Sequence, residues 1–412
     1  MLKRIAAIVF IFLCTTVAWA VLGSTIFYRT YSSDSQLKGR VASNWGSPQQ
    51  QSPPAATYLN RFTKQVISIE NGKEITRSAE QQTLCSLPLE GSRVNVALGL
   101  DYRRKGLLWY STYHVKFRGS YEFRNPEDSP RDVTFTLHLP AEQAIYDDVA
   151  FSVNGTPLAL SSRKMDTYGI ARLAPHETAV LAVAYASQGL DTWKYNFGDG
   201  VNQVRDFDLR AYTDFGGFDF PESTLSPTQE RAVPGGWELV WNYKNLVSGY
   251  TIGISMPRKL QPGPLAGRIS YFAPVSLLFF FFVLFTLTAI RRIELHPMNY
   301  FFLACAFFSF HLLMAYLVDH ISIHIAFAVC SCVSVFLVVS YLRLVVGMRF
   351  AALEAGVAQF VYLVLFSYAF FFEVYTGLAI TIGAILSLFL AMQMTGRIRW
   401  SEKFAPRPAS SF

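Results

Sequence analysis

The chain has 412 residues, 51% of them apolar and only 16% charged, with a formal net charge of +7. That composition excludes a disordered chain and points to membrane spans with a sizeable polar domain attached. The positive excess gathers in short joints beside apolar runs, so it excludes a nucleic-acid footprint and fits attraction to anionic inner-leaflet lipid.

Lys3 and Arg4 precede an uncharged run from Ile5 to Tyr28. Ala18-Trp19-Ala20 has the look of a leader cleavage site, but the run outlasts the leader core of about 7–15 residues. Residues 1–28 are therefore expected to be an uncleaved membrane anchor with a cytoplasmic N-terminus. Residues 29–57, rich in Ser, Gln and Pro, are expected to form a linker.

Residues 58–256 change to a β pattern. Val133, Phe135, Leu137 and Leu139 alternate with polar residues, as do the residues from Thr112 to Phe123. Asn154-Gly155 between two short apolar runs predicts a hairpin turn, and Thr178 to Tyr185 and Trp237 to Trp241 predict further strands. Of five cysteines only Cys85 falls here, so the domain is held by its core without an internal disulfide. Residues 257–268, with Pro257, Pro262 and Pro264, read as a stiff tether that excludes helix.

Five apolar runs follow, at 269–290, 299–318, 321–342, 350–371 and 375–395, each near the roughly 20 residues a span requires. In lipid such a backbone must satisfy its own hydrogen bonds, so these are helices. Arg291, Arg292, Arg343 and Arg349 mark two joints, and Arg397 and Arg399 open a tail at 396–412. The other joints hold Asp319, His320 and Glu373 without Lys or Arg. Basic joints belong in the cytoplasm, which places the C-terminus inside and residues 29–268 outside the cytosol. The expected fold class is an α+β membrane protein: an N-terminal transmembrane helix, an extracytoplasmic antiparallel β-sandwich-like domain, and a C-terminal bundle of five helices.

His311 lies mid-span, where an ionisable group is costly and a functional candidate by default. Its bland alternative is a neutral imidazole bonded to a neighbouring helix. Asp319, His320 and His324 are candidate metal ligands, set against an interfacial polar cap on a short loop. Arg291, Arg292 and His296 are candidates for lipid head groups or a cytoplasmic partner, set against stop-transfer and helix-entry roles. Glu354, one turn inside its span, is expected to reach Arg349 or Arg343. Asp206 and Asp208, amid phenylalanines, are candidates for a cation or glycan, set against a half-buried strand. No phosphate-cradling glycine loop, catalytic triad signature or nucleotide motif is present.

Arg291-Arg-Ile-Glu-Leu-His296-Pro-Met-Asn-Tyr300, followed by an apolar run holding His311 and then by Asp319-His320, resembles the CreD family of bacterial inner-membrane proteins. The resemblance is strongest over residues 268–345, and the layout of one span, a large external domain and a membrane block matches too. It implies a multi-pass protein of the bacterial inner membrane whose residues 29–268 are periplasmic. It also implies a role in cell-envelope integrity and tolerance of envelope stress, with no catalytic residues to carry over. The expectation is a non-enzymatic protein without cofactor or metal, whose partners are membrane lipids and other envelope proteins and not nucleic acid. The alternatives are an accessory subunit of a transporter or flippase, with a polar path near His311 and Glu354, and a membrane metalloprotein using Asp319, His320 and His324.

Overall fold

The computed structural model describes residues 2–70, 73–106, 108–198, 203–372 and 374–396. Glu373 and the expected cytoplasmic tail from Arg397 onward lie outside the described residues. The fold is mixed: an apolar N-terminal helix, a β-sheet middle and apolar helices at the C-terminal end. The chain divides into two compact units. Met1–Gln36, Gly106–Leu108 and Leu260–Phe412 make a helical unit; Leu37–Lys105 and Trp109–Lys259 make a β unit.

Six helices of the described chain are long and apolar enough to cross a membrane. They are α1 (Leu2–Trp45), α2 (Pro262–Arg291), α3 (Pro297–Leu317), α4 (Ile323–Val346), α5 (Phe350–Phe371) and α6 (Thr376–Thr395). Two boundaries correct the expectations. The linker expected at 29–57 is helix as far as Trp45, because nothing between Tyr28 and Trp45 forces a stop: no proline occurs there, and a helix once nucleated extends at little cost. It ends at Gly46, whose φ of 100° is open to glycine and strained for other residues. The tether expected at 257–268 gives way to helix at Pro262, because prolines are tolerated in a first turn whose N–H groups have no intrahelical acceptor. α5 is continuous but irregular, with π turns at Phe350–Ala355 and Phe360–Leu365 on either side of Gln359.

The β unit begins with β1 (Gln49–Gln51), β2 (Ala55–Glu70), β3 (Lys73–Ser86), β4 (Leu89–Lys105) and β5 (Leu108–Arg124). There follow β6 (Arg131–His138), β7 (Tyr146–Val153), β8 (Thr156–Pro157), β9 (Ser161–Arg163), β10 (Asp166–Leu173) and β11 (Thr178–Leu190). The last are β12 (Thr192–Tyr195), β13 (Val204–Thr213), β14 (Thr224–Leu225), β15 (Gln229–Val233), β16 (Gly236–Leu246) and β17 (Thr251–Ser255). They form three sheets, ordered β1-β12-β17-β14, β3-β2-β6-β10-β9 and β15-β16-β13-β4-β5-β11-β7-β8. Most neighbours are antiparallel, but β1 with β12, β4 with β13 and β14 with β17 run parallel. Parallel neighbours need long crossovers, and here β4 and β13 are separated in sequence by eight other strands.

Alternation explains the core. Val133, Phe135 and Leu137 of β6, Leu181, Val183 and Tyr185 of β11, and Val115, Phe117 and Tyr121 of β5 are all buried. Each such side chain contributes about 1.5–3 kcal/mol on burial. Asn154 and Gly155, with φ of 50° and 79°, form the two-residue turn between β7 and β8. All five cysteines are free. The polar Gln49 and Gln51 are 1% and 0% exposed. Gln51 accepts a 2.7 Å bond from Tyr185 Oη and donates to the Ser52 and His138 carbonyls, while Gln49 donates to Ser187 Oγ and the Gln188 carbonyl. These hydrogen bonds offset the cost of burying the two amides.

Candidate functional site: three polar stations in the helical unit

At the Asp319 end of the bundle, Arg29 of α1 donates from Nη2 to Asp319 Oδ2 at 2.7 Å, and its guanidinium lies 5.5 Å from the Tyr316 ring centroid. Ser24 of α1 bonds Tyr271 of α2 at 3.0 Å. The pair is about two thirds buried on each side, so it is less screened than an exposed surface bridge. Its position follows from the sequence: Arg29 is the first charge after the apolar run, and Asp319 follows directly on α3. His320 and His324 are exposed, and the His324 ring packs on Phe371 at 5.1 Å. No group of three His, Cys, Asp or Glu among the described residues is arranged to hold a metal ion, so Asp319, His320 and His324 are not brought together as ligands.

His311 is fully buried in the middle of α3. Its Nδ1 lies 3.2 Å from the Phe307 carbonyl, which can only accept, so the proton sits on Nδ1 and Nε2 is a bare acceptor. The bond is to its own helix, which corrects the expectation of a neighbouring one: the carbonyl four residues back lies on the same helix face, within reach of the side chain. Nε2 has no protein partner, and neither does Nε1 of Trp19 on α1, whose ring stands perpendicular to the imidazole at 5.7 Å. Phe310 and Phe307 complete the enclosure at 4.9 and 6.0 Å.

A second buried set was not singled out by sequence reasoning. Gln359 Nε2 donates to Ser334 Oγ at 2.9 Å, and Ser334 donates to the Ala306 carbonyl at 2.7 Å, tying α5 to α4 and α4 to α3. Ser309 donates to the same carbonyl. Gln359 Oε1 is buried without a protein partner. Charge was the signal followed in these runs, and uncharged amides and hydroxyls escape it. A glutamine flanked by Ala355, Gly356 and Ala358 would have been the cue, since small residues let helices approach closely.

At the opposite end, Arg291 Nη2 donates to Glu354 Oε1 at 2.7 Å. Glu354 was expected to reach Arg349 or Arg343; it pairs instead across helices, because α5 packs against α2 and brings the last turn of α2 beside its first turns. Arg292, at φ 58°, caps α2 through its backbone N–H to the Thr288 carbonyl. His296 caps the start of α3, its Nδ1 accepting from Met298 N at 3.2 Å. Tyr341 Oη donates to Asn299 at 2.8 Å.

In the β unit, Asp206 and Asp208 stand on β13, where Phe207, Leu209 and Ala211 are buried and the residues between them are not, the pattern of a half-buried strand. Arg93 lies 3.5 Å from Asp206, and Asp208 accepts from Arg210 and Asn242. Close by, Glu238 is 5% exposed and accepts from Tyr212 at 2.8 Å and from Arg231. The Tyr212 hydrogen bond, then that from Arg231, holds the Glu238 carboxyl below the usual carboxylate range. Elsewhere Tyr58 is pushed up to about 12, first by burial and then by its hydrogen bond to Glu127.

Residues 237–401 match the family model described as inner membrane protein CreD. No curated protein matches the chain. Among solved structures, one described as a "putative nutrient binding protein" from Legionella pneumophila is similar at 9% identity and a TM-score of 0.36, over 57% of this chain and 76% of that one. An M1 zinc metallopeptidase from Deinococcus radiodurans is similar at 13% identity and a TM-score of 0.26, over 40% of this chain and 42% of that one. The chain thus spans less than half of that peptidase. At these scores neither likeness bears on function.

Proposed function

We propose, from the match of residues 237–401 to the CreD family model, that this chain is a non-enzymatic protein of the bacterial inner membrane that supports envelope integrity or tolerance of envelope stress through its β unit. The observation that carries the reading is how the membrane charges are used. Arg29 with Asp319 and Arg291 with Glu354 join helix to helix, at opposite ends of one bundle. Ionisable groups in a membrane mark pathways or relays when they face one another along a cavity. Groups that pair across helices instead fix a scaffold. The part left to meet partners is the β unit, outside the cytosol by the distribution of arginines, with lipids and other envelope proteins as its partners. Cells carrying the chain without residues 58–255 are expected to become as sensitive to membrane-perturbing agents as cells lacking it altogether. Full tolerance in that deletion would overturn the reading.

A second reading, an accessory subunit of a transporter or flippase, draws on the buried unpartnered atoms His311 Nε2 and Gln359 Oε1. Loss of substrate movement in His311→Ala and Gln359→Leu, with the protein still folded, would favour it over the first.

A further inference from the structure

Three segments of the β unit adjoin the helical unit in sequence, and side chains join them into one patch. The part of α1 that enters the β unit at Leu37 ends at Trp45; β4 hands on from Lys105 to Gly106; and Lys259 hands on to Leu260. The Arg103 guanidinium lies 3.3 Å from the Trp45 ring centroid, and Lys259 Nζ lies 4.8 Å from that of Tyr102 and 4.2 Å from that of Trp109. Cations over ring faces attract through the ring quadrupole. Tyr102 Oη and Ser111 Oγ both donate to the Pro257 carbonyl, at 3.2 and 2.7 Å.

The charge of the patch points to its ligand. Arg103, Arg104, Lys105, Arg258 and Lys259 fall within residues 101–110 and 256–261, where Asp101 is the one acid, and Arg103 takes it at 2.6 Å. Arg104, Arg258 and Lys259 are exposed. Basic residues beside spans gather in the cytoplasm, so orientation does not account for five of them on the outer side. Their depth is set by α2, which begins three residues after Lys259. Its 30 residues make it about 45 Å long, the thickness of a bilayer with its headgroup layers. With Arg291 at the inner headgroups, Pro262 lies at the outer ones. Tryptophan and tyrosine favour that level, where an apolar ring can carry a wetted polar edge. We infer that the patch binds the phosphates of anionic phospholipids in the outer leaflet, through Lys105, Arg258 and Lys259 beside Trp45 and Trp109. The inference rests on the functional reading above only for the membrane and for the β unit's place outside the cytosol.

The test titrates the purified full-length chain in a neutral detergent with dioleoyl phosphatidylglycerol or dioleoyl phosphatidylcholine and reads bound lipid by native mass spectrometry. The anionic lipid is expected to bind about tenfold more tightly than the zwitterionic one. Lys105→Gln, Arg258→Gln and Lys259→Gln together are expected to weaken it by about tenfold or more, since each cation at a charged lipid surface contributes about fivefold. Lys116→Gln, Arg118→Gln and Arg124→Gln together are the control: they remove the same charge from exposed positions of β5 and should leave binding unchanged. Thermal melting separates lost binding from lost fold. Should the first triple variant melt early, Arg258→Gln alone, at an exposed position, should still weaken binding about fivefold. Unchanged binding in the patch variants overturns the inference and places anionic lipid at the cytoplasmic arginines. Equal losses in patch and control variants overturn it too, as an effect of net charge. An excess of inorganic phosphate should leave the lipid bound; displacement by it would overturn the lipid in favour of a free anion. The deletion phenotype in cells is a separate readout, so either idea can fail alone.

Discussion

Gln51 is a polar residue in a stretch that reads as linker, yet it is fully buried and accepts the hydroxyl of Tyr185. Replacing it by leucine should leave that hydroxyl buried and unbonded, at a cost of about 1–3 kcal/mol. Removing both partners, in Gln51→Leu with Tyr185→Phe, should cost less than Gln51→Leu alone plus Tyr185→Phe alone; thermal denaturation of the four proteins checks the coupling. Glu238 gives a second prediction at this scale. Its carboxyl is held low in the folded state by Tyr212 and then Arg231. A folded pKa below the unfolded one contributes stability above the unfolded value, near 4.3 for glutamate, and that contribution is lost as pH falls through the folded value. The β unit should therefore melt at lower temperature as pH falls below about 4, and Glu238→Gln should flatten that part of the profile. An unchanged slope in the variant would count against the arrangement.

At the scale of the element, α1 carries the most informative packing. Trp19 is fully buried, with the rings of Phe307, Phe308 and His311 against it at 5.3 to 6.1 Å, and Arg29 holds Asp319 one helical stretch further on. The first helix is thus a member of the bundle. Arg29→Ala should destabilise the detergent-solubilised protein more than Arg29→Ala combined with Asp319→Ala, because the single change leaves a half-buried carboxylate without its cation. Equal melting temperatures for the single and double variants would mean that the carboxylate left without its cation costs nothing. The apolar runs made the spans legible, since about 20 uncharged residues in lipid leave helix as the one choice. Their pairings were not: Glu354 finds Arg291, 63 residues away, because helix packing and not sequence proximity sets which charges meet. His311 stood out because it is ionisable, whereas Ser334 and Gln359, joined across helices, did not.

For the whole molecule, the chain passes between the helical unit and the β unit near Gln36, about Gly106–Leu108, and again near Lys259. The positive-inside pattern predicts that the β unit and the tail lie on opposite sides of the membrane. Reporter insertions in the β7–β8 turn at Gly155 and at the end of the chain should report different compartments; the same compartment for both would undo the functional reading with the topology. The long apolar helices, the strands whose alternation repeats over several residues, and the Asn154-Gly155 turn were all legible in the order of residues. Each is a local consequence of burial or of backbone geometry. It took the folded chain to place Gln49 and Gln51 in a core, β4 beside β13, Arg291 against Glu354, and His138 and Asn196 around one cavity. These depend on which surfaces pack together over long separations, and a one-dimensional pattern records that a face is to be buried but not against what.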